Sequence, residues 1–161
     1  MAKKFLKNPI VKNILSALAV AVFGFILLNL AFIFYALFIG LMRGIIGLFV
    51  PLDENTTIYW LPPLMHALTT AVILLISWLI LKSKLRVLFK AIYMTVPLAV
   101  VYATMGMFLY PWPAAAYLLG GLFFLSVLYY LHRTKQPWLY YYTLVLISFL
   151  MLMVGVLGVE I

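Results

Sequence analysis

Long uncharged runs, broken only by short basic or polar segments, set the pattern of this chain. A helix that crosses a bilayer needs about 20 mostly apolar residues. The runs are of that length or longer, and the pattern predicts an all-α integral membrane protein with five transmembrane helices and no separate soluble domain.

The first run extends from Asn13 to Val50. At a rise of about 1.5 Å per residue it is too long for one straight crossing. It also lacks a turn signal strong enough for two. The expectation is one span over 16–39, followed by a short interfacial helix over 40–49. Gly40, Gly44 and Gly47 permit a bend there, and Arg43 can reach lipid headgroups from it. Pro51 closes the segment, and Asp53-Glu54-Asn55-Thr56-Thr57 is the one clearly polar loop.

The second span is expected over 58–81. Tyr59 and Trp60 mark its outer interface, and Pro62 and Pro63 fall near its start, where proline is best tolerated. A third span follows over 91–110, with Pro97 as a kink position. Pro111-Trp112-Pro113 makes a tight turn into the fourth span, 114–131, and His132 to Pro137 lead to the fifth, 138–159.

Basic residues give the topology a direction. Lys3, Lys4, Lys7 and Lys12 precede the first span. Lys82, Lys84, Arg86 and Lys90 join the second to the third, and Arg133 and Lys135 join the fourth to the fifth. These alternate segments lie on one side, and of all the basic residues only Arg43 falls elsewhere. Lys/Arg bias sets membrane orientation, so the N-terminus is expected inside a cell (inner) membrane and the C-terminus outside. The apolar run after the first lysines is much longer than the roughly 7–15 residues of a signal-peptide core. It is therefore expected to stay as the first span.

Composition agrees with this picture. The chain of 161 residues is 68% hydrophobic and 9% charged, with a net charge of +8. A soluble domain carries about 25% charged residues. The positive excess sits between apolar runs, which points to anionic inner-leaflet lipid as its partner and not to nucleic acid. With no cysteine, disulfides and thiolate metal sites are excluded. Asn55-Thr56-Thr57 matches an N-glycosylation acceptor pattern, which matters only in a host that glycosylates.

Small residues recur at helical spacing: Ala17 and Ala21, then Ala99, Ala103 and Gly106, then Ala116, Gly120 and Gly121, and finally Gly155 and Gly158. In lipid, helices associate through close packing of such residues, within one chain, with a partner subunit or in a homo-oligomer. Ala17-x-x-x-Ala21 is similar to a pattern in the first span of the vitamin-binding subunits of energy-coupling-factor transporters, and the likeness ends with that pattern.

The chemistry is mostly what is missing. No expected span contains a carboxylate, which argues against carboxylate proton relays, aspartyl intramembrane proteolysis and metal–pyrophosphate chemistry. There is no His-Glu-x-x-His, no Gly-x-Ser-x-Gly elbow, no arginine ladder and no potassium-filter sequence. His66 and His132 lie at opposite levels, roughly 20 Å apart at helical rise, so they do not suit one bis-histidine haem. No metal or cofactor is expected.

Neutral polar groups remain. His66, Asn29, Tyr102 and Tyr117 fall at comparable depths, about 5–15 Å below the outer boundary. Thr70 shares a face with His66, and Thr104 is near Tyr102. If these faces converge, they line a small-ligand pocket that is mostly apolar with a few placed polar groups. If they do not, the same groups hydrogen-bond neighbouring helices. The aromatic run from Trp138 to Tyr142 belongs to an interfacial belt. Three functional classes follow: a small-ligand-binding or accessory subunit of a membrane transport system, a non-catalytic scaffold, and an enzyme acting on lipid or isoprenoid. The last is weakest for want of an acid or an oriented base.

Overall fold

The computed structural model describes residues 8–49 and 61–157. Five helices account for most of them: α1 (Pro9–Phe49), α2 (Leu61–Lys82), α3 (Val87–Phe108), α4 (Pro113–Arg133) and α5 (Trp138–Leu157). All are long and apolar enough to cross a membrane, and together they fit a multi-pass membrane protein. The acidic loop at 53–57, Tyr59, Trp60, the first three lysines, Gly158 and Glu160 lie outside the described residues.

The apolar character faces outward. Phe34, Leu48 and Phe49 are 75–82% exposed, and large aliphatic or aromatic side chains cover the outside of every helix. In water such a surface would aggregate, whereas hydrocarbon is a good solvent for it. A hydrocarbon medium also demands that backbone groups be satisfied within each segment, which helices alone accomplish here.

In one respect α1 departs from the expected division. Its backbone stays helical for 41 residues, through Gly40 and Gly44, with no break between a spanning part and an interfacial helix. The length is about 60 Å, roughly twice a hydrocarbon core. Glycine permits a bend without imposing one. Among the described residues nothing lies within 4 Å of a Cβ built at Gly40 or Gly44, so none of them forces the chain to turn.

Helix α3 is the axis of the bundle and touches each of the other four. Contacts at two levels show that α1, α3 and α5 run parallel: Gly24 meets Thr95 and, further along, Tyr35 and Phe108 meet the same His66 ring, while Thr143 reaches the Ala91 carbonyl at 3.3 Å and Ser148 the Tyr102 hydroxyl at 2.7 Å. Consequently Lys12, Lys82, Lys84, Arg86, Lys90, Arg133 and Lys135 gather at one end, with Arg43 toward the other.

The closest approach is between α1 and α3. A Cβ on Gly24 would fall 2.6 Å from the Thr95 methyl carbon, so only glycine lets the two backbones come this near. Thr95 is 1% exposed and donates its hydroxyl to the Ile92 carbonyl at 2.7 Å, leaving the methyl group to fill the contact. Around it pack Val20, Ala91, Met94, Leu98 and Leu144. Helix α3 continues through Pro97, whose missing N–H frees the Tyr93 carbonyl.

Two basic ends are tied locally. Lys90 Nζ donates to the Leu81 carbonyl at 2.7 Å, closing the end of α2 against the start of α3. Lys82 lies 3.9 Å over the Trp78 ring, a cation–π contact. Helix α4 ends in a Schellman motif: Gln136 N–H donates to Leu131 and Lys135 N–H to His132, with Lys135 left-handed at φ 49°. Pro137 then starts the approach to α5.

Candidate functional site

One polar and aromatic junction lies where α1, α2 and α3 meet, near the end opposite the lysines. Sequence alone places His66 on the second turn of α2. The fold sets it against the last turns of α3, where its Nε2 lies 2.8 Å from Thr104 Oγ1. Thr104 donates its single hydroxyl proton to the Val100 carbonyl at 2.6 Å. The threonine oxygen is therefore the acceptor in the pair, and the imidazole carries its proton on Nε2. In that tautomer Nδ1 is an acceptor, with no hydrogen-bond partner among the described residues. Aromatic edges enclose the ring, with Tyr35 from α1 at 5.8 Å and Phe108 from α3 at 6.2 Å between centroids.

Thr70 stands one turn further along α2. Its hydroxyl oxygen is buried and lacks a hydrogen-bond partner among the described residues. Neighbouring Thr69 satisfies its own hydroxyl on the Met65 carbonyl at 2.8 Å, the usual arrangement in an apolar helix. Thr70 is the exception.

The other expected site residues go elsewhere. Tyr102 and Thr104 are two positions apart, which turns them about 200° around the helix. Thr104 looks to α2, and Tyr102 to α4 and α5. The Tyr102 hydroxyl is 2.7 Å from Ser148 Oγ, and its ring meets Phe123 edge-on at 5.3 Å. The ring also lies along α4 at Gly120, where an added Cβ would meet it at an ordinary contact distance of 3.5 Å. Tyr117 packs on Gly155 at the α4–α5 contact, again on the far side of α3. Asn29 faces outward and donates Nδ2 to the Phe25 carbonyl of its own helix at 2.8 Å. Arg43 is exposed on the half of α1 away from the lysine-rich end.

Only His66, Thr70 and Thr104 of the expected set therefore share one junction. Tyr35, Phe108 and Ser148 complete the polar and aromatic contacts and were not singled out from sequence. Ser148 carried a usable signal, a hydroxyl in an otherwise apolar run. Tyr35 carried another, because it lies eleven residues after Gly24 and so on the same face of α1.

A separate groove of about 310 Å³ lies between α1 and α3 in the other half of the bundle. Its walls are Ala19, Phe23, Ile26, Leu27 and Leu30 on one side and Leu88, Phe89 and Ile92 on the other, all apolar. None of the expected ligand residues borders it. Among the described residues there is no cluster of three metal-ligating side chains. Comparisons with protein-family models, curated proteins and solved structures returned no match.

Proposed function

We propose that this chain is a non-catalytic accessory subunit of a membrane assembly, of the transport class, inserted in the cell membrane with its N-terminus inside and its C-terminus outside. The observation that carries this reading is how its polar groups are used. Tyr102 is bonded to Ser148, Thr104 to His66 and Val100, and Thr95 and Thr143 to helix carbonyls. The Tyr102–Ser148 and His66–Thr104 pairs, with Thr143 near the Ala91 carbonyl, join helices, the other hydroxyls close on their own helix, and none of these groups lines the α1–α3 groove. The clustering of the basic residues at one end supports the orientation through the Lys/Arg bias.

Purification of the full chain in mild detergent tests this. A larger membrane protein should accompany it in fixed stoichiometry, and the chain's unfolding temperature should drop when that protein is removed. A lone monodisperse species of unchanged stability counts against the reading. A phosphatase reporter fused after Ile161 should be active, and activity of a cytosolic reporter there would reverse the orientation.

A second reading, a small-ligand-binding subunit, draws on the unpartnered Thr70 hydroxyl beside His66. Together with Nδ1 of His66 it offers one donor and one acceptor within an aromatic rim, the usual make-up of a small apolar site. A hydrophobic or zwitterionic compound should then raise the unfolding temperature, and His66→Ala should remove that effect. Full retention in the variant would dismiss this site.

A further inference from the structure

The geometry points to a bound anionic phospholipid in the α1–α3 groove, with one acyl chain along the groove and its phosphate held by Lys12 and Arg86. The α1 wall runs from Ala19 to Leu30. At helical rise that is about 16 Å, close to the depth of one leaflet of a hydrocarbon core about 30 Å thick. The groove's walls carry no polar group, and Phe23, Ile26, Leu30 and Phe89 are half-exposed along it. An acyl chain fits those surroundings, and a polar solute does not.

Charge at the groove's end selects the headgroup. Lys12 precedes Ala19 by seven residues, two helical turns, so it stands on the groove face of α1 about 10 Å nearer the basic end. Arg86 is the residue before the first turn of α3, which supplies Leu88 and Phe89 to the opposite wall. Both are exposed. Unlike Lys82 and Lys90, which are held by Trp78 and the Leu81 carbonyl, neither has a side-chain partner among the described residues. All described residues lack a carboxylate, so the counter-charge has to come from outside the described bundle. A phosphate at the leaflet surface supplies it, and the arginine fork can bind it through two hydrogen bonds.

Native mass spectrometry of the full chain, released from detergent with added phosphatidylglycerol or phosphatidylcholine of identical chains, tests this. Phosphatidylglycerol should be retained preferentially. Lys12→Gln and Arg86→Gln should each lower that retention about fivefold while leaving phosphatidylcholine unchanged. Ala19→Trp should lower it with every charge in place, because the indole fills the groove. If that variant does not elute as a helical monodisperse species, Leu27→Phe serves the same purpose. Arg133→Gln and Lys135→Gln, made singly, each remove the same one charge from the same end away from the groove and should have no effect. Equal loss in these controls would mean surface attraction only, and retention unaltered by filling the groove would equally overturn the assignment. Inorganic phosphate should not compete at concentrations where phosphatidylglycerol binds, and full competition would also overturn it.

Discussion

The two halves of α3 are held by different means. From Ala91 to Ala99 most side chains are buried, and the helix packs closely on Gly24 of α1 and on Thr143 and the core side chain Leu144 of α5. From Tyr102 to Phe108 the side chains are partly or largely exposed, and the helix is tied by discrete contacts, Tyr102 to Ser148, Thr104 to His66, and Phe108 to the His66 ring. Dispersion between closely fitted surfaces is collectively large, while one interhelix hydrogen bond in lipid is worth about 0.6 kcal/mol on average. The basic-end half should therefore be the rigid part of the bundle, and the other half the part that opens or adapts.

Substitutions can break or sharpen that contrast, each read as a change in unfolding free energy during titration with a denaturing detergent. Leu144→Ala in the packed half should cost about 2–5 kcal/mol, since Leu144 is fully buried and its neighbours cannot close the void. Leu118→Ala, on the outward face of α4, should cost far less, and equal losses would mean that α5 is not packed as described. Gly24→Ala comes next at about 1–3 kcal/mol, from overpacking against Thr95. Thr95→Ala removes the clashing methyl and should recover part of that loss in the double variant, whereas simple additivity would refute the close crossing.

The adaptable half should respond less. A double-mutant cycle between His66→Ala and Thr104→Val should yield a coupling of about 0.6 kcal/mol, and no more than about 1.7 kcal/mol. A coupling above that range would make His66 a structural keystone and undo the contrast. Smallest of all, Asn29→Leu should change stability by less than about 0.5 kcal/mol, because its amide bonds only its own helix. A large loss there would reveal a partner for the outward face of α1.

Gly24 illustrates what periodicity missed. The small-residue pattern drew attention to Ala17 and Ala21, yet the position that must be glycine is three residues further on. A small side chain on a membrane helix permits close packing at every turn, and which turn is used depends on the crossing point of the partner helix. The candidate site shows a similar loss. Depth along each helix was readable, and it grouped His66, Asn29, Tyr102, Thr104 and Tyr117. Azimuth was not, and it sent Tyr102 and Tyr117 toward α4 and α5 and Asn29 outward.

The number of long apolar helices, the approximate limits of the last four and the gathering of basic residues were already present in the chain. They depend on local properties: an apolar run of about 20 residues has only a helix available to it in hydrocarbon, and short connections force neighbouring helices to alternate. The continuity of α1 through its glycines, the central place of α3, and the pairing of His66 with Thr104 came from the packed bundle alone. Each depends on relative rotation and contact between helices distant in sequence, and nearly uniform apolar surfaces carry almost no mark of which face turns inward.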